Sequence, residues 1–318
     1  MSKEKYSNED KIKDFVEKTE TEALDEVIAV PEIGSKIIDT SNVPKPWEKK
    51  EDHIALGNQI GWQQIKIGEL PTQGLFYPKD TEVVIRAATG AEIRHWSTLN
   101  ENDLSLLDDM LNYVIERCVQ VKNKKVQTSW KDIKEIDRFY LLLAVSELTF
   151  IKGENKLQVK VSESEKINVT KNMIEYIKFD PTLMNFYDED LRLFHIHLND
   201  GTSVQSTLPS VGVTNWLKKY VIRKNQAQQP IDEDYVSFAP FVIKDWRGLD
   251  ETSYQAYMQE SNEWSLSQVS GLTKFKEIFM DTVNPVIKYK DSEGGDRQVP
   301  LNFQGGIKSI FLISNPFR

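Results

Sequence analysis

The pattern of hydrophobic and polar positions changes near residue 60 of this 318-residue chain. Before that point, residues 1–58 mix acidic and basic side chains with few aromatic residues and no long apolar period. Such a composition cannot bury enough apolar surface to offset the entropy of ordering the backbone, which predicts a flexible acidic arm. Two short apolar stretches, 27–31 and 43–47, interrupt the arm. Either the whole arm is disordered, or these stretches fold when they bind a partner.

Two strands and three helices are predicted in the next part of the chain, residues 59–152. Residues 62–67 partly alternate apolar and polar side chains, and residues 82–86 are mostly β-branched, so both segments are expected to be strands. Farther on, apolar residues recur at the spacing of an amphipathic helix. Helices of this kind commonly begin after a Ser, Thr, Asn or Asp cap. The candidate caps are Thr89, Asn100 or Asn102, and Ser129.

The loop between the two strands, residues 70–78, combines proline and glycine with adjacent apolar residues. Apolar side chains on a loop either anchor a partner protein or close over the core beneath the loop, and the sequence leaves both interpretations open. The tryptophans in amphipathic segments are expected to lie mostly in the core. The candidate partner-binding residues, taken from the arm, from this loop and from a later helix, are Trp47, Leu75, Phe76, Tyr77 and Trp216.

Antiparallel hairpins and helices are predicted in the remaining residues, 153–318. Apolar runs flank three polar tips, and the middle tip contains Asp200-Gly201, which is a strong turn signal between alternating strands. The tips are 162–165, 199–202 and 291–296. Together the pattern predicts an α+β fold of antiparallel hairpins and packed helices, with two compact units and a flexible N-terminal arm. The predicted divisions are 1–58, 59–152 and 153–318.

Charge and hydropathy narrow the functional classes. The net charge is −9, and the chain has no basic block, which disfavours general nucleic-acid binding and suits association with proteins. No apolar run reaches the roughly 18 residues of a membrane span, and the polar N-terminus does not have the pattern of a signal peptide. A nucleic-acid-binding adaptor stays an alternative because one predicted helix carries four basic residues. These are Lys218, Lys219, Arg223 and Lys224.

The side chains that could carry chemistry are few. The single cysteine, Cys118, excludes an internal disulfide, indicates a reducing compartment and is expected to be a buried thiol. His195 and His197 share one face of a strand, but a metal site needs further ligands and none accompany them. The sequence therefore predicts no catalytic, cofactor-binding or metal-binding residues and a protein that is not an enzyme. A hydrolase with a dispersed carboxylate site stays an alternative, and it predicts a cleft lined by acids with perturbed pKa.

The order of the segments carries a further signal. The series is loop 70–78, strand 83–86, residues 89–92, a helix ending at 114–119, a helix at 137–145, and a hairpin with its Leu-Pro at 193–209. This series resembles the baseplate hub assembly protein family of T-even-like tailed bacteriophages, over roughly residues 65 to 303. The resemblance implies a component or assembly factor of the baseplate hub of a contractile tail. It implies other hub proteins as partners, in the host cytoplasm during assembly or in the virion tail baseplate.

Two hairpin tips depart from that family. Its members often carry Cys-x-x-Cys zinc-ribbon tips after the third helix and near the C-terminus. The matching tips here, 162–165 and 291–296, contain no cysteine, so no zinc is expected. The hairpins themselves are expected to persist, because a tight turn can replace a metal clip when the strands pack on a core. The long acidic arm also departs from the family's shorter start.

Overall fold

A computed structural model describes residues 61–97, 107–150, 157–161, 165–291, 294–301 and 310–311. All of the described residues belong to one compact unit. The predicted arm, with its two apolar stretches and Trp47, lies outside the described residues. The structure therefore bears on the fold and on four of the five candidate partner-binding residues.

Helices and short antiparallel strands alternate along the described ranges, which confirms the α+β class. The helices are α1 (Gly90–Ser97), α2 (Leu107–Cys118), α3 (Glu135–Thr149), α4 (Pro181–Met184), α5 (Val211–Gln226), α6 (Glu233–Val242), α7 (Glu251–Ser261) and α8 (Leu266–Ile278). The strands are β1 (Trp62–Ile65), β2 (Glu82–Arg86), β3 (Val119–Lys122), β4 (Leu157–Lys160), β5 (Lys166–Val169), β6 (Tyr187–Asp188), β7 (Leu193–His197), β8 (Ser203–Ser206), β9 (Val286–Lys290) and β10 (Asp296–Pro300).

The strands form four small antiparallel sheets in the described ranges. Their orders are β1-β2-β3, β4-β5, β6-β7-β8 and β9-β10. The predicted hairpins around the first and third polar tips are therefore present, as β4-β5 and β9-β10. The third tip is braced by Asp291, whose carboxylate accepts hydrogen bonds from Gly295 N at 2.7 Å and Arg297 Nε at 2.9 Å. Residues 162–164 and 292–293 of the tips lie outside the described residues.

Helix α3 lies at the centre of the largest hydrophobic cluster. Every residue from Glu135 to Ser146 is buried, including the charged residues Glu135, Asp137 and Arg138 of the first turn. The cluster extends from Val83 and Val114 to Val159 and Ile287. The predicted division at residue 152 therefore has no counterpart in the packing, because one core includes residues from both sides of it.

Two boundaries near α3 differ from the sequence expectation. Ser129 was expected to cap the third helix, but it caps a short 3-10 turn, Trp130–Asp132, through a reciprocal capping box with Asp132. Lys134 then adopts an extended conformation, and α3 begins at Glu135. The second of the three predicted helices, α2, ends at Cys118, because the next four residues form β3 and pair with β2. Strand pairing with a segment distant in the sequence therefore outweighs the helical pattern of residues 119–122.

Two smaller clusters complete the core. One joins the helices α5, α6 and α7 through aromatic residues that include Tyr220, Tyr235 and Tyr254. The other surrounds Phe194 of β7. The Asp-Gly hairpin between β7 and β8 is fastened to the start of α8, because Ser265 Oγ donates to Asp200 Oδ2 at 3.0 Å. The predicted turn thus also positions a helix.

Candidate partner-binding groove

Loop 70–78 is held by a buried carboxylate at the start of α3. Asp137 accepts hydrogen bonds from Thr72 N at 3.0 Å, from Thr72 Oγ1 at 2.7 Å and from Tyr77 Oη at 2.7 Å. Tyr77 Oη also accepts from the backbone N of Lys134 at 3.0 Å. A fully buried carboxylate is tolerated where such donors replace water. The polar groups therefore fix both ends of the loop to one turn of helix.

The same loop inserts an aromatic side chain into the cluster around Phe194. Phe76 is buried, with ring centroids 5.7 Å from Phe194 and 5.4 Å from Tyr187. Its φ of 70° is a left-handed conformation that a bulky residue adopts at a cost, and the surrounding contacts maintain it. The Lys134 ammonium lies 5.7 Å from its ring centroid. The burial of Phe76 and Tyr77 favours the loop as a plug over the core.

The other two described candidates for partner binding, Leu75 and Trp216, lie in different hydrophobic clusters. Leu75 is half-buried against the Phe194 cluster. Trp216 is half-buried on α5, where it stacks on Tyr220 with ring centroids 5.3 Å apart and also contacts Tyr254. These two residues belong to different clusters, so the described candidates do not converge on one surface.

Burial determines the pKa values in the network under the loop. It raises the pKa of Asp137 to about 6, against the lowering effect of the hydrogen bonds from Thr72 and Tyr77. It lowers the pKa of Lys134 to about 8, although the nearby charge of Asp137 opposes this change. It also raises the pKa of Tyr77 well above its ordinary value. The charge of this buried network, and with it the stability of the fold, is therefore expected to depend on pH.

Acidification is expected to stabilise the wild-type protein relative to Asp137→Asn. Because the folded-state pKa of Asp137, about 6, lies above the unfolded value, the folded protein binds the proton more tightly. The contribution is gained as the pH falls from about 6 to about 4, and is on the order of 2–3 kcal/mol. Urea unfolding of both proteins across that range measures the difference.

An exposed capping aspartate provides the control for this experiment. Hydrogen bonds from Ser253 lower the pKa of Asp250, so its contribution is lost as the pH falls. That loss begins only near the unfolded pKa of about 4, so wild type should change little in stability relative to Asp250→Asn between about pH 6 and about pH 4. A constant free-energy difference between wild type and Asp137→Asn from about pH 7 to about pH 4 would contradict the raised pKa of Asp137.

A surface groove of about 770 Å³ lies beside the loop. Its walls are joined by two hydrogen bonds: Ile177 N donates to Pro71 O at 2.9 Å, and Gln73 Nε2 donates to Ile177 O at 3.0 Å. The residues that line it are Glu69, Pro71, Gln73, Tyr140, Lys171, Asn172, Ile174, Glu175, Tyr176, Ile177, Lys178 and Phe179. The groove is therefore aromatic and apolar, with charged side chains of both signs.

Some of the charged residues that line the groove have partners within the protein. Lys288 of β9 pairs with Glu175 at 2.7 Å, which ties the β9-β10 hairpin to one wall. Lys171 donates its backbone N–H to Glu147 Oε1 at 2.8 Å, and its ammonium lies 5.6 Å from the ring centroid of Tyr140. Burial raises the pKa of Tyr140 to about 12, with further contributions from the negative charges of Tyr176, Glu69 and Glu147.

The sequence did not indicate this groove. Tyr140 follows the helical spacing of the apolar residues around it, and residues 171–179 contain no recognisable motif. The available signal was the run of charged residues inside the apolar pattern of α3, at Glu135, Asp137 and Arg138. Buried charges need partners from elsewhere in the chain, so such a run indicates that loops fold against the helix.

The basic residues of the nucleic-acid alternative are largely engaged with acids. Lys218 pairs with Asp108, Lys219 pairs with Asp109, and Lys224 pairs with Glu251. These ion pairs reduce the positive charge that α5 offers to phosphate groups.

The two strand histidines make a local contact with each other and with a neighbouring strand. Their ring centroids are 4.7 Å apart, and His195 Nε2 lies 3.1 Å from Ser203 Oγ. Across the described ranges, no group of three or more His, Cys, Asp or Glu side chains could hold a metal ion. Burial raises the pKa of the Cys118 thiol to about 12, so this side chain is a protonated core residue.

None of the helices in the described ranges is both long and apolar enough to cross a bilayer. Comparison with protein families, with curated proteins and with solved structures finds no match to this chain.

Proposed function

We propose that this chain is a component or assembly factor of the baseplate hub of a contractile phage tail, which acts by binding other hub proteins. The support comes from the order of segments between residues 65 and 303, which resembles the hub assembly family. The observation that carries the binding role is the groove of about 770 Å³, whose walls are fixed by hydrogen bonds. The proposed place of action is the host cytoplasm during assembly, and the baseplate if the protein stays in the virion.

The geometry of the groove suits protein binding. Loop 70–78 is anchored to α3, and residues 171–179 are anchored to the loop, so both walls are ordered before a partner arrives. Preorganised walls reduce the entropy cost of association. Tyrosine side chains offer large contact areas with few rotatable bonds, and Tyr140 and Tyr176 both line the groove.

No observation favours the other two candidate functions. The hydrolase predicts a cleft lined by acids with perturbed pKa. Asp137, whose pKa is raised, instead lies beneath loop 70–78 with its oxygens hydrogen-bonded to Thr72 and Tyr77. The nucleic-acid adaptor requires free basic residues on α5, and three of the four are paired with acids.

Deleting the coding sequence from the phage that encodes it is expected to prevent baseplates from forming. Sedimentation and electron microscopy of the infected-cell lysate measure this, and expression of the chain in trans should restore assembly. Mass spectrometry of purified virions then separates the two roles. Stoichiometric protein in the particle identifies a component, and its absence identifies an assembly factor. Normal baseplates without the protein would refute both roles.

A further inference from the structure

Two histidines lie side by side on the outer face of strand β7. Phe194 and Ile196 of this strand belong to a hydrophobic cluster of the core. Because side chains alternate along a strand, His195 and His197 lie together on its other face. His195 is half-buried and His197 is exposed. The pair is therefore accessible from solvent, on a strand whose opposite face is held in the core.

The spacing of the two imidazole rings suits a shared metal ion. Their centroids are 4.7 Å apart, and their planes are inclined by 36°. Imidazole nitrogens bind Zn²⁺ at about 2.0–2.1 Å, so two rings on one ion have centroids about 4.5–5.3 Å apart at ligand angles of about 90–110°. The observed separation falls in that range. The backbone of β7 therefore already holds the two rings at a chelating distance.

Ring nitrogens of both histidines are available as ligands. Within the described ranges, the ring of His197 makes no hydrogen bond, and the ring of His195 makes one, from Nε2 to Ser203 Oγ at 3.1 Å. Donation by Nε2 to Ser203 leaves Nδ1 of His195 with the lone pair that a metal ion binds. A hydrogen bond of this kind also orients a metal-binding imidazole.

The neighbouring side chains leave the other coordination positions of such an ion to water. Ser203 and Gln205 of β8 lie directly opposite His197 and His195. Gln205 Oε1 accepts a hydrogen bond from Lys244, whose ammonium is exposed, so solvent and salt screen its repulsion of a bound cation. No third His, Cys, Asp or Glu joins the pair in the described part of the chain. The geometry is that of an open two-ligand chelate and not of a closed structural zinc site.

We infer that His195 and His197 chelate a divalent transition metal ion, with water in its remaining positions. Imidazole suits Cu²⁺, Ni²⁺ and Zn²⁺, and Cu²⁺ forms the most stable complexes of the three. Mg²⁺ and Ca²⁺ prefer oxygen ligands and do not suit this pair. The strand holds the second imidazole close to an ion bound by the first, which makes its binding intramolecular and strengthens the complex. The inference does not rest on the proposed function.

Calorimetric titration of the full chain with Cu²⁺, in a buffer that does not bind metals, measures the affinity. Wild type is expected to bind the ion with a Kd of about 10 µM. His195→Gln and His197→Gln are each expected to weaken binding at least about tenfold, because a single imidazole cannot chelate. His95→Gln removes a histidine of helix α1 and should leave the affinity unchanged. Thermal unfolding without metal verifies that each variant is folded.

Histidine-ring NMR of the wild-type chain locates the ion directly, with the resonances assigned from the three variants. Cu²⁺ is paramagnetic, so a small fraction of an equivalent is expected to broaden the ring resonances of His195 and His197 before that of His95. The inference is overturned if the pair broadens no earlier than His95. It is also overturned if both variants of the pair bind Cu²⁺ as tightly as wild type, or if His95→Gln weakens binding as much as they do.

Discussion

Replacing Gly212 with alanine is expected to destabilise the protein by roughly 2–4 kcal/mol. Gly212 lies in the first turn of α5, and a Cβ atom there would lie 2.3 Å from Cγ of Trp246. The indole would have to move away. Trp246 Nε1 donates to Asp132 Oδ1 at 2.8 Å, and the Lys131 ammonium lies 4.7 Å from the ring centroid, so both contacts would be lost with it. Urea unfolding measures the change.

A second helical glycine provides the matched control. Gly271 lies in α8, where an added Cβ would meet Cδ2 of Leu198 at 3.2 Å, the movable end of a side chain. Alanine is favoured over glycine inside a helix by up to about 1 kcal/mol, so Gly271→Ala should be neutral or slightly stabilising. If Gly212→Ala were as stable as Gly271→Ala, the close packing of Trp246 on α5 would be contradicted.

Replacing Tyr77 with phenylalanine is expected to cost roughly 2–4 kcal/mol, although the ring is retained. The hydroxyl donates to Asp137 and accepts from the backbone N of Lys134, and all three residues are buried. Its removal leaves a carboxylate oxygen and a backbone N–H without this partner in a place where water is largely excluded. The free energy of unfolding in urea at neutral pH reports the loss.

Tyr140→Phe is the control for this prediction. Tyr140 is as buried as Tyr77 by exposed fraction, at 6% against 3%, but its hydroxyl has no partner in the described structure. Its removal is expected to change the free energy of unfolding by less than about 0.5 kcal/mol. Equal losses in the two variants would contradict the stability contribution assigned here to the hydrogen bonds of the Tyr77 hydroxyl.

The local pattern predicted most elements of the fold because strands and helices follow from nearby residues. The alternation around Asp200-Gly201 predicted the β7-β8 hairpin, and the cap at Ser210 begins α5. The local pattern could not show that residues on both sides of position 152 share one core. That depends on whether hairpin β4-β5 packs on its own core or on α3, which is a long-range contact. Val159 and Val169 pack into the α3 cluster.

The candidate site was less predictable than the fold. The sequence showed that Phe76 and Tyr77 are apolar and lie on a loop, but it did not show whether they face a partner or the core. That choice depends on Asp137, which lies 60 positions farther along from Tyr77. Likewise, the groove requires residues 171–179 to pack beside loop 70–78, and the residues that join them, Pro71 and Ile177, carry no motif.

The buried lysine beneath the loop has a consequence for synthesis on the ribosome. Lys134 Nζ donates to Leu208 O at 3.0 Å, and Leu208 lies 74 positions later in the sequence. The backbone N–H of Lys134 donates to Tyr77 Oη, which lies earlier in the sequence. Translation proceeds at about 5–20 residues per second, so the acceptor is made several seconds after the lysine. Until then the ammonium lacks this acceptor, and burying it would be costly. The burial of Lys134 beneath loop 70–78 is therefore expected to be completed only after residue 208 has left the exit tunnel.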